Sequence, residues 1–144
     1  MRKVDHGGID ATAAGFSFFG KINSFGKDDI CFQLTLGESG RYAGITLATD
    51  IVVDPVSGET KAEKTTAWYV GYRRMWSDKY PSTIFYGNGE TDILGHDRSH
   101  YAVNLIKQHT PNMIIGVEFG KYVVDDQGLD LDSCYVQTSV KFTL

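Results

Sequence analysis

Residues 30–36 read Ile-Cys-Phe-Gln-Leu-Thr-Leu, with an aliphatic or aromatic side chain at every second position. Ile30, Phe32, Leu34 and Leu36 take one side of an extended chain, and Cys31, Gln33 and Thr35 the other. Successive side chains of a strand point to opposite faces, so a clean period of two reads as a half-covered β-strand. The C-terminus repeats it: Val136, Thr138, Val140, Phe142 and Leu144 share one parity, Gln137, Ser139, Lys141 and Thr143 the other. Working outward, the same reading predicts strands over 15–25, 65–76, 82–87, 100–107 and 113–123. No longer segment carries a helical period. The expected class is all-β.

Composition agrees. The 144 residues are 42% hydrophobic and 22% charged, ordinary globular values that exclude wholesale disorder. Aromatic residues at 12% and sixteen glycines favour β structure with tight turns. No run approaches the ~18 apolar residues of a membrane-spanning helix. Fourteen Lys and Arg against eighteen Asp and Glu give a charge of −4, with no basic stripe for nucleic acid. Cys31 and Cys134 form no CxxC, which excludes a zinc knuckle or redox motif and favours two plain thiols over a disulfide. After Met1-Arg2-Lys3 the chain turns polar at Asp5, His6 and Gly7, without the apolar core of a signal peptide. Residues 1–14 are expected to be irregular, and 15–144 to form one β-barrel domain.

Connection lengths sharpen the class. Segments 26–29, 77–81 and 109–112 are short and turn-like. Segments 88–99, 124–132 and the excursion starting at Gly37 are long and polar. Short turns at one end and long loops at the other mark a transmembrane β-barrel. Strict alternation makes 37–64 one excursion and leaves seven strands, whereas bacterial single-chain barrels have an even number. If 42–53 spans as an eighth strand, the alternation breaks at 26–29. Seven strands plus a long loop, a partial barrel, is the preferred reading.

Trp68 and Trp76 share a parity. Eight residues span about 26 Å at ~3.3 Å each, or about 20 Å when tilted, comparable to the ~25 Å apolar band between aromatic girdles. They are the candidate girdle. Arg73 and Arg74 are adjacent, so one of them shares the lipid-side parity; alternation does not say how it is accommodated. Val140, Phe142 and Leu144 end the chain on apolar parity, as an outer-membrane assembly signal does, with Leu where a terminal Phe is usual. A soluble eight-stranded barrel would turn the same apolar face inward, and alternation alone does not separate the two.

Five stretches carry a resemblance: GKINSFGKDDICFQLTLGESGRY (20–42), VGYRRMWSDKYPSTIFYG (70–87), DRSHYAVNLI (97–106), IIGVEFGKY (114–122) and QTSVKFTL (137–144). In this order they resemble the C-terminal part of the Gram-negative DcaP-like trimeric porins. Ile106-Lys107-Gln108 stands where that family has Trp-Ser-Pro, and Cys31 where a basic pore residue is common. The resemblance implies half of a sixteen-stranded homotrimeric channel in the bacterial outer membrane, passing small, often anionic, solutes and inserted by the barrel-assembly machinery.

Candidate chemistry is sparse. His6, His96, His100 and His109 are scattered and supply no metal set. The run Asp125-Asp126-Gln127-Gly128-Leu129-Asp130-Leu131-Asp132 lacks calcium-loop spacing and its terminal Glu. No nucleophile motif or phosphate-cradling loop is present, so no enzyme activity, cofactor or metal is expected. Glu118, alone among apolar neighbours, reads as a channel-wall charge rather than a general base. The expected pore lining is Gln33, Asn104, Glu118, Gln137 and Lys141, with Arg73, and with Arg41 if the 37–64 excursion folds inward. The expected function is a porin-like channel, with outer-membrane lipid and small solutes as partners. The rival is a soluble lipocalin-like barrel that binds a small apolar ligand.

Overall fold

The computed structural model describes residues 2–6, 9–38, 49 and 51–143. All regular structure among them is β. The strands are β1 (Arg2–His6), β2 (Ile9–Ala13), β3 (Gly15–Asn23), β4 (Asp29–Gly37), β5 (Ile51–Val53), β6 (Thr60–Ala62), β7 (Thr65–Ser77), β8 (Tyr80–Thr91), β9 (His96–Thr110), β10 (Met113–Asp126) and β11 (Leu129–Phe142). Seven form one antiparallel meander, ordered β11-β10-β9-β8-β7-β4-β3, while β1-β2 and β5-β6 are separate two-stranded sheets. The meander is open, with β3 and β11 as its edges. Among the described residues the class is all-β and antiparallel; no barrel is closed.

The seven strands are those expected from the alternating segments. Within the long excursion, the described part forms only the β5–β6 hairpin and adds no strand to the sheet. Arg41 and Leu144 lie outside the described residues, as does most of the 42–53 candidate strand.

Two expectations change. Residues 1–14, expected to be irregular, carry the β1–β2 hairpin. Segments 88–99 and 124–132, expected as long loops, are mostly strand: β8 and β9 are joined by four residues and β10 and β11 by two. The second of these turns is Gln127-Gly128, where φ is 53° and 92°. Two successive positive φ values mark the type I′ turn, whose twist matches the strands it joins. The hairpins thus extend as ladders past the apolar stretch of the sheet, with acidic residues in them; a run of charge reads as loop when it is strand.

The register puts two unlike faces on this sheet. One cross-strand row runs Asn23–Asp29–Arg73–Thr83–Asn104–Glu118–Gln137, one polar residue from each strand. The adjacent row, on the opposite face, runs Ile22–Ile30–Tyr72–Ile84–Val103–Phe119–Val136. Paired residues share a face and neighbours in sequence alternate, so the two faces are fixed along the whole meander. The chemical contrast is clearest in these two rows, since Phe19, Phe85, Ile106 and Ile114 also fall on the polar face.

Little of the chain is a conventional core. Among the described residues only Ala13, Val52 and Ala102 are buried hydrophobic residues. A domain of this size ordinarily hides its apolar strand faces against another layer. Here the ladders and cross-strand pairs hold the sheet, and its apolar face is uncovered.

Candidate functional site

The polar face is built by position in the strand. Arg73, Asn104, Glu118 and Gln137 fall in the single polar row described above. Gln33 and Lys141 lie on the same face in other rows. The register therefore brings four of the expected lining residues into one row and leaves Gln33 and Lys141 elsewhere on the same face.

The row is hydrogen-bonded across strands. The backbone N–H of Thr83 donates to Asn104 Oδ1 at 3.1 Å, and Asn104 Nδ2 donates to Glu118 Oε2 at 3.2 Å. Tyr135 Oη donates to Glu118 Oε1 at 2.7 Å, and His100 Nε2 lies 2.7 Å from the same hydroxyl. Since that hydroxyl's proton goes to the carboxylate, His100 must offer its Nε2–H to the oxygen. Glu118 is thus ringed by donors, as a charge set into a wall must be.

Glycine makes room for this cluster. Tyr135 pairs with Gly120, and a Cβ there would overlap the Tyr135 ring. The ring therefore lies flat across the neighbouring strand, which brings its hydroxyl to Glu118 and His100. His100 also stands edge-on to Phe85, with ring centres 4.9 Å apart.

At the short-turn end, Arg73 donates through Nε at 3.0 Å and through Nη2 to Asp29 Oδ2. Asp29 is only 2% exposed, so this cation is partnered rather than free. Arg74 leaves on the other face and donates to Asp28 Oδ2 at 2.7 Å. Asp28 also accepts from Tyr72 Oη at 2.6 Å and from the N–H of Met75 at 2.8 Å. The Met75 N–H first, then the Tyr72 hydroxyl and Arg74, hold the Asp28 carboxyl below its usual range although burial pushes the other way. The turn's two adjacent acids thus answer the two adjacent arginines, one pair to each face.

The other face is apolar and bounded by aromatics. Trp68, Tyr86 and Tyr101 form a row, with ring centres 5.3 Å and 6.2 Å apart. At the opposite end Trp76 donates Nε1–H to Ser82 Oγ at 2.8 Å, beside Tyr80. Both tryptophans lie on the apolar face. Beyond the Trp68 row this face turns acidic at Glu90, Asp97, Asp125, Asp130 and Asp132. Val140 and Phe142 continue the apolar parity. An open hollow of about 950 Å³ runs over this face, bordered by Ile84, Val103, Phe119 and Val136.

Exposure differs between the faces. Along β9, Tyr101, Val103 and Leu105 are 40%, 47% and 46% exposed while Ala102 between them is 5%. His100, Asn104 and Ile106 on the polar face are half-buried. On the central strands β8, β9 and β10 the polar face is the more sheltered side and the apolar face the more open one, while Phe19, Arg73, Gln137 and Lys141 on the polar face are exposed.

Asp28, Asp29, Thr83, His100 and Tyr135 were missed from sequence. Strand parity marks four of them, and the paired Asp28-Asp29 and Arg73-Arg74 doublets were the available signal for the turn. Among the described residues no group of three or more His, Cys, Asp or Glu is placed to hold a metal ion. Cys31 and Cys134 are free thiols. They lie on opposite faces, on strands five places apart in the sheet order. No family model, curated protein or solved structure matches this chain, so the two faces are read on their own chemistry.

Proposed function

We propose that this chain is part of a transmembrane β-barrel of the bacterial outer membrane, whose polar face lines a water-filled path for small hydrophilic solutes. The observation that carries it is the pairing of exposure with chemistry. The side open to the surroundings carries Ile84, Val103, Leu105, Phe119 and Val136 between two aromatic belts. The sheltered side carries Asn104, Glu118 and His100. Membrane barrels have an apolar outer band with aromatic girdles and a polar interior. Lipid covers the open face in this reading, and the exposed Val140 and Phe142 carry the signal for the assembly machinery. The homotrimer and the sixteen-strand size rest on the porin resemblance.

The wall's charge is nearly balanced. Lys21, Arg73, Arg98 and Lys141 stand on the polar face against Asp29, Glu118 and Asp126. Arg73 and Arg98 are bound to Asp29 and Asp126, which among the described residues leaves Lys21 and Lys141 to act on a passing ion against Glu118. In low-dielectric walls a few such charges set selectivity. A modest anion preference follows. Reversal potentials across a planar bilayer under a salt gradient test it: anion selectivity that Lys21→Glu with Lys141→Glu reverses is expected. Cation selectivity indifferent to those changes would contradict the wall assignment.

One observation favours the soluble rival, the apolar hollow of about 950 Å³. Its walls are wide open, with Ile84, Phe119 and Val136 more than half exposed. A site for a small apolar ligand encloses most of that ligand, which supports lipid contact over a binding pocket.

A further inference from the structure

Trp76 and Tyr80, at the short-turn end of the apolar face, each lie beside a cation. The Arg74 guanidinium carbon is 5.3 Å from the Trp76 ring centre, and Lys107 Nζ is 5.7 Å from that of Tyr80. An open hollow of about 660 Å³ runs from these two rings along Val103, Leu105, Val117 and Phe119. The nearby acids are committed elsewhere. Asp28 is taken by Arg74, Tyr72 and Met75, and Asp78 of the adjoining turn by Lys27. Among the described residues no carboxylate pairs with Lys107.

The two ends of this face therefore differ in sign. At the far end Glu90, Asp97, Asp125, Asp130 and Asp132 cluster, and Lys121 is tied to Asp132 at 2.7 Å. At the near end the cations face outward over aromatic rings.

We propose that the near-end hollow docks one anionic phospholipid, its phosphate on the Lys107 ammonium, which has no carboxylate partner among the described residues, and its acyl chains along Leu105, Val117 and Phe119. This rests on the membrane reading of the apolar face and adds a headgroup preference to it. A phosphate suits cations held at a girdle, where the rings take the headgroup boundary and the apolar wall takes the chains. A basic residue near a membrane surface contributes roughly 1 kcal/mol toward an anionic lipid, about fivefold in affinity. The far end repels the same headgroup, so the preference is confined to one leaflet.

The chain has only two tryptophans, one at each end of this face, and this makes the test direct. Trp68→Phe leaves Trp76 as the only reporter, and Trp76→Phe leaves Trp68. The full chain is reconstituted in phosphatidylcholine vesicles doped with equal mole fractions of brominated phosphatidylglycerol or brominated phosphatidylcholine. Trp76 should be quenched by the brominated phosphatidylglycerol at about fivefold lower mole fraction than by brominated phosphatidylcholine, and Trp68 no better by the brominated phosphatidylglycerol than by the brominated phosphatidylcholine. In Lys107→Gln the advantage should fall toward unity while quenching by brominated phosphatidylcholine stays unchanged. Equal quenching of Trp76 by the two lipids, or an advantage that survives Lys107→Gln, would overturn the headgroup site alone. Quenching of neither tryptophan by either lipid would overturn the membrane reading and this site with it.

Discussion

Arg73 and Arg74, adjacent in sequence, leave the sheet on opposite faces, and each is held by one of the adjacent acids of the β3–β4 turn. Arg73 binds Asp29 on the polar face and Arg74 binds Asp28 on the apolar one. The arginine on the apolar face therefore does not stand among its apolar rows. It sits at the turn, neutralised by a carboxylate that is 3% exposed and spread over the Trp76 ring.

Asp28→Asn should destabilise the folded chain far more than Asp78→Asn. Asp28 is a buried acceptor with three partners, whereas the Asp78–Lys27 pair is exposed on both sides, and exposed pairs contribute little. The pH dependence follows from the lowered folded-state value of Asp28. Its stabilisation is fully present above the ordinary carboxylate range near 4 and is lost as pH falls through the lower folded value. Urea denaturation midpoints at pH 7 and pH 3 check this. Wild type should lose stability at pH 3, and Asp28→Asn should lose less over the same interval.

Val103 and Gln137 test the faces by charge. Arg at the midplane of a barrel's outer face costs about 2–4 kcal/mol, and a lumen position far less. Val103→Arg should lower the folding free energy in lipid vesicles by that amount, and Gln137→Arg should be tolerated. Phe142→Asp, at an apolar position 62% exposed, should abolish outer-membrane assembly in cells. Normal membrane levels of that variant would count against the assembly signal.

The strands and their faces were legible in the sequence because alternation is a local property: Ile30 to Leu36 and Val136 to Phe142 fix their own parity without knowledge of their neighbours. Residues of one face could thus be named from parity alone, and the register puts Arg73, Asn104, Glu118 and Gln137 in one row. Pairings were not legible, since nothing near Glu118 announces that Tyr135 will fold over Gly120 to reach it. Nor were the hairpin ends: Asp97, Asp125 and Asp130 read as loop because charge opposes strand burial, yet beyond an apolar band a strand has nothing to bury.

Glu63 anchors the long excursion. It is 1% exposed and accepts the backbone N–H groups of Ile93 at 2.8 Å and Leu94 at 3.2 Å, at the tip of the β8–β9 hairpin. Glu63→Ala strands these donors at a cost of about 1–3 kcal/mol. Limited proteolysis should then cut within 51–62 at a rate raised by about fivefold or more, with the β7–β11 ladders still protected. An unchanged cleavage rate would show that the excursion is held by other contacts.

The two thiols provide a chemical check of the faces. Cys31 shares the polar face with Gln33 and Arg73, and Cys134 the apolar face with Lys121. No disulfide should form under oxidising conditions. In Cys134→Ser, a charged water-soluble thiosulfonate should modify Cys31 in the reconstituted barrel and lower its conductance. Resistance of Cys31 to that reagent would place it away from water.

Spin-label accessibility at two sequence neighbours distinguishes a lipid-facing apolar surface from a covered one. A label at Val103 and a label at Asn104 differ by one residue and, by the register, by the whole thickness of the sheet. In lipid vesicles the Val103 label should collide with oxygen dissolved in the bilayer and be shielded from an aqueous nickel chelate. The Asn104 label should show the reverse. A Val103 label screened from both reagents, or one that meets the chelate as readily as the Asn104 label, would contradict a lipid-facing apolar surface.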